Sequence, residues 1–434
     1  MANIQLQENA ILSSQHFKKM NKQSSYRFVR KFSPLVKKLL PRSLFLKLKN
    51  KFKKGITYKA ENELPFDKNK YPNGINYFGH LKANIGLGQG SRLYGLALHS
   101  SDIPSVFIDV ALPKKIKQDD PFYNIELSSE PKYNINVFHI NPENFYLLEM
   151  NYSKDILDYR YNIGVLLWEL DKIPDNWLTY LDLFDELWVP SNFIKNVLSS
   201  VYKKNIFVIP YGMDKKIESS SKKENDEYIF LTMFDSKSNI DRKNPLMAIK
   251  AYMSEFREDE KCKLLVKTNN LTKHDYKKLT KLIGDRKDIE IINKSLSRSD
   301  LYNLISSADC LISLHRAEGF GLPLAEAMML NTLVVATNYS STTDFVNEKS
   351  AYVVDYKLIE SNISYQDQKG FKWADPDFKD AKRKLRDAFN HVDAANKLEQ
   401  SKTIIQNYLS INNSALLMKK RYDDILNLQD KSKS

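Results

Sequence analysis

The chain has 434 residues, 42% of them hydrophobic, with a formal net charge of +13; that is enough for two domains of roughly 150–200 residues and too much for one ordinary core. No uncharged apolar run reaches the roughly 18 residues that span a bilayer, so an integral membrane protein is not expected. Cys262 and Cys310 each sit in an apolar run and the seven histidines are scattered, which argues against a disulfide framework and against a zinc or other imidazole-built metal site.

The positive charge is local. Of 66 Lys and Arg and 53 Asp and Glu, residues 1–60 hold 15 and 1 respectively, leaving 51 and 52 in the rest. The body is therefore neutral, and no nucleic-acid partner is expected. Within this arm, Ser33-Pro34 and Ser43-Leu44 read as helix starts. Leu44, Phe45, Leu48 and Phe52 recur near helical period, with Lys47, Lys51 and Lys54 away from them, and Phe28 to Leu40 gives a less regular stripe. Residues 26–54 can lie on an anionic membrane surface, each near-surface lysine worth about 1 kcal/mol. A solvated tail, or a helix docked on the body, explains the pattern equally. The arm lacks the uninterrupted apolar core of a secretory signal; an acid-poor transit peptide remains open, though Lys outnumbers Arg.

Gly74–Phe78 reads as a strand, followed by a glycine loop, Gly79 to Arg92, and a helix over Leu93–Leu98. The loop lacks the third glycine of a dinucleotide fingerprint, so a nicotinamide cofactor is not expected. Strands follow at 106–110, 135–138, 162–167, 186–189 and 206–209, alternating with polar or helical stretches as in a βα sheet. His139 and Asn141 follow one of these strands, and Trp168-Glu169, a candidate acceptor wall, ends another. A lone His is more often packing than function.

Residues 214–227 are polar without apolar period and fit a linker. A second sheet starts at Tyr228–Thr232. Beyond it, Arg242-Lys243-Asn244-Pro245 leads into a helix over Leu246–Phe256, and Lys267 ends a strand at Leu264–Val266. Next come a strand at Cys310–Leu314, the turn His315-Arg-Ala-Glu318-Gly-Phe-Gly321, and a helix over Leu324–Leu330 that carries Glu326. Turns at carboxyl ends of parallel strands collect ligands. Glycines such as Gly319 and Gly321 let backbone N–H groups approach a phosphate, and the helix N-terminus supplies positive potential. Two glutamates at this spacing also arise as a solvated acid plus a helix-surface residue. After the strand at 332–336, Ser340 and Ser341 offer hydroxyls to phosphate or sugar, or serve as caps. Asp375-Pro-Asp377 reads as a cap before a helical stretch over 378–427.

The string Ser313–Glu326 resembles the signature of retaining glycosyltransferases of family 4, and the resemblance extends over about residues 71–427. It implies an α/β chain of GT-B fold, two Rossmann-like doubly wound domains facing a cleft. Domain bounds are then a basic arm over 1–70, an acceptor domain over 71–213, a linker over 214–227, a donor domain over 228–395 and a bracing C-terminal helix over 396–434. By position, the resemblance places Glu318 near the donor sugar's anomeric carbon and Glu326 on the nucleotide ribose. Gly319, Phe320, Gly321 and Leu322 line the donor site, and Lys243, Arg242 and Lys267 meet the diphosphate. Gly86 and Gly88 form a phosphate or acceptor loop, and His139 contacts sugar or acceptor. Many family members carry an Arg directly after the first strand of the donor domain, where Met233-Phe234-Asp235 stands here.

The activity so implied is metal- and cofactor-independent transfer of a hexose from a nucleotide-diphosphate sugar to a hydroxyl of a glycan, glycolipid or protein. Envelope polysaccharide or glycolipid synthesis on the cytoplasmic side of the inner membrane would suit the basic arm. The alternative is a non-catalytic GT-B protein that binds sugar or nucleotide as scaffold for a partner transferase.

Overall fold

The computed structural model describes residues 64–112, 124–152, 154–213, 227–365 and 368–428. The two helices expected within 26–54 and, apart from its last residue Glu227, the linker expected over 214–227 lie outside the described residues.

In the first half, the expected apolar runs form β1 (Ile75–Gly79), β2 (Ser105–Asp109), β3 (Ile135–His139), β4 (Tyr161–Val165), β5 (Glu186–Val189) and β6 (Asn205–Val208). They pair in parallel in the order β2-β1-β3-β4-β5-β6. A second parallel sheet contains β7 (Tyr228–Asp235), β8 (Cys262–Asn269), β9 (Ile289–Asn293), β10 (Cys310–Ser313), β11 (Leu333–Thr337) and β12 (Tyr352–Val354), ordered β12-β11-β10-β7-β8-β9. Both sheets are covered on two faces, which is why their strands read as near-continuous apolar runs. The strand order reverses between β1 and β3 in one sheet and between β7 and β10 in the other. At such a point, crossovers leave in opposite directions and open a crevice at the carboxyl ends of the strands. Residues 80–92, 140–141, 236–244 and 314–321 are the segments that follow these four strands.

A buried asparagine ladder pins the register of the first sheet. Asn76, Asn136 and Asn162 are direct neighbours on β1, β3 and β4. Asn76 Nδ2 donates to Asn136 Oδ1 at 2.9 Å, and Asn136 Nδ2 to Asn162 Oδ1 at 2.8 Å. A slip of one residue would leave these amides unpaired in the interior, at roughly 1–3 kcal/mol each.

The helix expected over 93–98 starts earlier, at Gly86, and runs to His99. Its glycines are sites of close approach inside the helix. A Cβ on Gly88 would lie 2.1 Å from the Ala83 carbonyl oxygen, and one on Gly90 2.6 Å from the Tyr211 hydroxyl, whereas nothing stands within 4 Å of a Cβ at Gly86. The C-terminal stretch divides into three helices, Phe378–Phe389, Ala394–Asn407 and Ile411–Asn427, with left-handed His391 and Asp393 at the first break. Asp377 caps the first, accepting from the Asp380 amide at 2.8 Å. The second packs on the helix Leu322–Met329 of the donor side. The third packs on the helix Gly86–His99 of the first domain, and just before it the Met213 amide, at the end of that domain, donates to Leu409 O at 2.7 Å.

An unanticipated antiparallel hairpin, β13 (Tyr356–Glu360) with β14 (Lys372–Pro376), leaves the second domain after β12. It reaches the first domain, where Lys172 Nζ donates to Gly370 O at 3.1 Å and the Lys372 amide to Asp171 Oδ1 at 2.7 Å. Trp168, expected with Glu169 as a candidate acceptor wall, is buried under it against Tyr365 and Phe371. One apolar cluster is continuous between the domains, joining Tyr77 and Val137 through Tyr211 to Phe320, Leu311 and Leu231. Among the described residues, no helix is long and apolar enough to cross a membrane.

Candidate active site

Two left-handed asparagines, Asn239 and Asn244, flank the four-residue helix Ile240–Lys243 after β7. The short polar side chain of Asn tolerates this conformation and bonds the local backbone. Asn239 Oδ1 accepts from the Arg242 amide at 3.1 Å, and Asn244 Nδ2 donates to Leu314 O at 2.9 Å, which ties this helix to the end of β10. Pro245 then opens the next helix at its first position. The turn presents Arg242 and Lys243 to the loop after β10.

Glu318 in that loop is buried and ion-pairs through Oε1 with Lys243 Nζ; its Oε2 lies 3.6 Å from Arg242 Nη1. Its amide donates to Ser340 Oγ at 2.8 Å, and Ser340 holds a left-handed φ of 68° to offer that oxygen. Burial alone pushes the Glu318 carboxyl up, but the Lys243 ammonium and the Arg242 guanidinium outweigh it and hold it at about 2. Burial, with Arg242 alongside, draws the Lys243 ammonium down, against the pull of Glu318. Arg242 is itself fixed, donating through Nη1 to Ala317 O at 2.7 Å and through Nη2 to Ser238 O at 3.1 Å.

Gly321, at φ 97°, caps the helix Leu322–Met329. A Cβ there would be both strained and 2.6 Å from Thr342 Cγ2. Glu326 on this helix is buried and accepts from Arg298 Nη1 at 2.8 Å. Burial pushes its carboxyl up, and Arg298 pulls it partly back. Arg298 Nη2 continues to Gln89 Oε1 in the first domain at 2.9 Å.

The domains touch at several points along the crevice. A Cβ on Gly319 would lie 3.1 Å from Leu167 Cγ, and Phe320 packs edge-on to Tyr211 with centroids 4.8 Å apart. Ser191 Oγ donates to Ser341 Oγ at 2.8 Å, and the Asn192 amide to Asp344 Oδ2 at 2.8 Å. Glu169, following β4, sets its Oε1 3.4 Å from Arg242 Nε.

Of the residues expected at a site, the fold brings together Glu318, Lys243 and Arg242 around one charge cluster, with Gly319, Phe320, Gly321, Leu322 and Glu326 on the same loop and helix. Lys267 is apart from that cluster. It is buried inside β8, its ammonium donates to Thr268 O and Asn269 Oδ1, and burial lowers it to about 8. His139 is not brought to the carboxylates. It is fully buried, Nδ1 bonded to the Tyr77 hydroxyl at 2.8 Å and Nε2 to the Tyr211 hydroxyl at 3.1 Å. Burial keeps the ring neutral down to about 3, and both ring nitrogens are taken up by tyrosine hydroxyls. Gly88 serves a close backbone approach. Sequence reasoning missed Arg298 and Gln89, which meet across the crevice, and the service of Ser340 to the Glu318 amide; Glu169 was expected at a strand end on the acceptor side, but not its pairing with Arg242 of the other domain. Among the described residues, no group of three or more His, Cys, Asp or Glu is placed to hold a metal ion.

Residues 213–364, the heart of the second domain, match the family described as glycosyl transferases group 1. No curated protein sequence matches the chain. Among solved structures, a glycosyltransferase from Rickettsia africae superposes with a TM-score of 0.60 at 16% identity, covering 85% of this chain and 100% of that one. Anabaena Alr3699/HepE, solved with UDP and glucose, gives 0.60 at 11% identity, covering 81% and 99%. A variant of S. aureus TarM, solved with UDP and α-GlcNAc-glycerol among its ligands, gives 0.50 at 16% identity, covering 66% and 55%. These likenesses establish the fold: two Rossmann-like domains in the GT-B arrangement.

Proposed function

We propose that the protein is a glycosyltransferase that moves a hexose from a nucleotide-diphosphate sugar to a hydroxyl, with retention at the anomeric carbon. The observation that carries this reading is the ionised, buried Glu318 held against two cations at the switch point of a domain that matches glycosyl transferases group 1. A leaving diphosphate gains negative charge as the bond to C1 breaks, and cations already fixed in place stabilise it without reorganisation. Lys243 is the more adaptable of the two, since the Arg242 fork is committed to backbone carbonyls. The Glu318 carboxylate supports positive character on the sugar ring, and Glu326 offers acceptor oxygens to ribose hydroxyls.

In this reading no cofactor or metal takes part, because the side chains supply the neutralising charge. The acceptor is a glycan, glycolipid or protein hydroxyl, in envelope polysaccharide or glycolipid synthesis, and the enzyme works at the cytoplasmic face of the inner membrane. UDP is the first nucleotide to test, since two of the similar structures were solved with it.

The test is turnover of a panel of UDP- and GDP-sugars with EDTA present. Consumption of one donor that survives chelation and collapses in Glu318→Gln supports the proposal. Nucleotide binding without turnover, even with lipid extracts supplied as acceptor, would make the chain a non-catalytic binding protein, and failure to bind any nucleotide would sink both.

A further inference from the structure

We infer that Glu169 receives the attacking hydroxyl, an inference that rests on the transferase reading above. Glu169 lies just past β4 on the first domain, and its Oε1 stands 3.4 Å from Arg242 Nε on the second. Arg242 in turn lies 3.6 Å from Glu318 Oε2. One guanidinium therefore separates two carboxylates contributed by opposite domains.

The Arg242 fork is occupied by Ala317 O and Ser238 O, so Glu169 meets only the remaining Nε. It does so at a distance longer than the about 2.7–2.9 Å of a charge-assisted hydrogen bond. The pair is loose, and the carboxylate keeps accepting capacity. Its side chain is 30% exposed, against 8–17% for Glu318, Arg242 and Lys243. Glu169 is thus the member of the cluster that faces the crevice.

A carboxylate accepts and never donates when ionised, so what it recognises is an O–H or N–H group. Beside Glu318 and the two cations, the group so placed is the hydroxyl that attacks C1. In the transfer, the hydroxyl oxygen forms its bond to C1 as the C1–O bond to the diphosphate breaks. The bonding pair leaves with the diphosphate oxygen, and the hydroxyl proton ends on that oxygen. Glu169 orients the hydroxyl and emerges unchanged. Because it comes from the domain opposite Glu318, the hydroxyl is aimed only when the domains are together, which couples aim to closure.

Water can stand in for the acceptor, so donor hydrolysis by the full chain tests the inference. The probes are UDP-glucose, UDP-galactose, UDP-N-acetylglucosamine and GDP-mannose, with the Kd for UDP or GDP measured alongside. Glu169→Gln should lower hydrolysis roughly 100-fold, with nucleotide affinity unchanged or tighter, since an anion beside Arg242 has gone. Glu169→Asp should recover part of the rate. Unchanged hydrolysis overturns the inference. So does a parallel loss of nucleotide affinity, which would make Glu169 a strut between the domains. A wild-type chain that hydrolyses none of the donors overturns the transferase reading itself, and this inference with it, before any variant is made.

Discussion

Arg298 and Gln89 meet across the crevice at 2.9 Å, and the same guanidinium holds Glu326 at 2.8 Å on its own side. Gln89 Oε1 also accepts from Arg92 Nε and Nη2 at 3.2 and 3.0 Å. The carboxylate proposed to bind ribose is thereby connected to the first turn of the helix Gly86–His99 in the other domain. Arg298→Ala strips Glu326 of its cation, leaving burial to push the carboxyl further up, and a protonated acid is a poorer acceptor for two hydroxyls. We expect the Kd for UDP to rise about tenfold, or about 1.4 kcal/mol. Gln89→Leu cuts only the cross-domain half, and should change UDP affinity less while enlarging the radius of gyration without ligand. Equal losses of affinity in both variants would show that the bridge, not the state of Glu326, matters.

Glu318→Gln tests the charge and keeps the shape. Catalytic turnover should fall by roughly 10²–10³, the cost of losing one preorganised electrostatic group. Stability should fall as well, by about 3–5 kcal/mol, since Lys243 is left buried without its anion. The double variant with Lys243→Met should regain stability and stay inactive, which separates the two effects. The acid side gives a further check. The folded carboxyl sits at about 2, below its ordinary value of 4.5, so its stabilisation is complete above 4.5 and is lost as the pH falls from 4.5 towards 2. In Glu318→Gln that portion of the acid dependence should vanish from urea titrations across this window.

The two sheets were legible in the sequence because parallel strands buried on both faces leave unbroken apolar runs such as Leu311-Ile312 and Val334-Val335. The edges were less so. β9 reads Ile289-Glu-Ile-Ile-Asn with exposed positions and every residue of β13 is exposed, so no inward face marks either, while β12 is buried but only three residues long, too short to show a pattern. Three glycines within five residues suggested a loop at 86–90, whereas Gly88 and Gly90 let a helix pass close to Ala83 and Tyr211. At the site, Glu318, Arg242 and Lys243 were legible since each belongs to one short turn with its own local signals. Arg298 and Gln89 were not, and of Glu169 only its place at a strand end was, because what defines all three is a partner on the other domain, and no spacing within the chain encodes that. The Asn76, Asn136 and Asn162 ladder did leave a trace, an Asn at the second position of three strands, but its meaning depends on strand order.

Lys267 carries a pH prediction. Its ammonium is lowered to about 8, chiefly by burial and secondarily by Lys294, with Asp235 pulling the other way. If Lys267 serves the diphosphate, the charged form is the one that binds. Below pH 8 it is already protonated, and nucleotide affinity should be flat. Above pH 8 the free protein must take up a proton to bind, so the Kd for UDP should weaken as pH rises, approaching tenfold per unit. Lys267→Arg, which stays charged, should flatten the curve. A wild-type curve that is level from pH 7 to 9.5 would remove Lys267 from the site.

The C-terminal helix gives the last prediction. Glu186 on β5 is fully buried, and accepts from Trp188 Nε1 at 2.7 Å and from the Tyr161 hydroxyl at 3.1 Å. Its counter-charge is Arg421 of the helix Ile411–Asn427, at 2.7 Å, and Arg421 also covers the Phe207 ring at 3.8 Å and pairs with Asp424 at 2.6 Å. A buried carboxylate deprived of its cation is far costlier than a pair replaced whole. Arg421→Ala should therefore cost about 3–5 kcal/mol in urea denaturation, and loosen the helix from the first domain, seen as faster amide exchange over 411–427. Arg421→Met with Glu186→Gln should recover most of the loss by keeping the volume and removing the orphaned charge. If Arg421→Ala costs under about 1 kcal/mol, as surface pairs do, the helix is held by its apolar face, through Met418, Tyr422 and Ile425, and the ion pair contributes little.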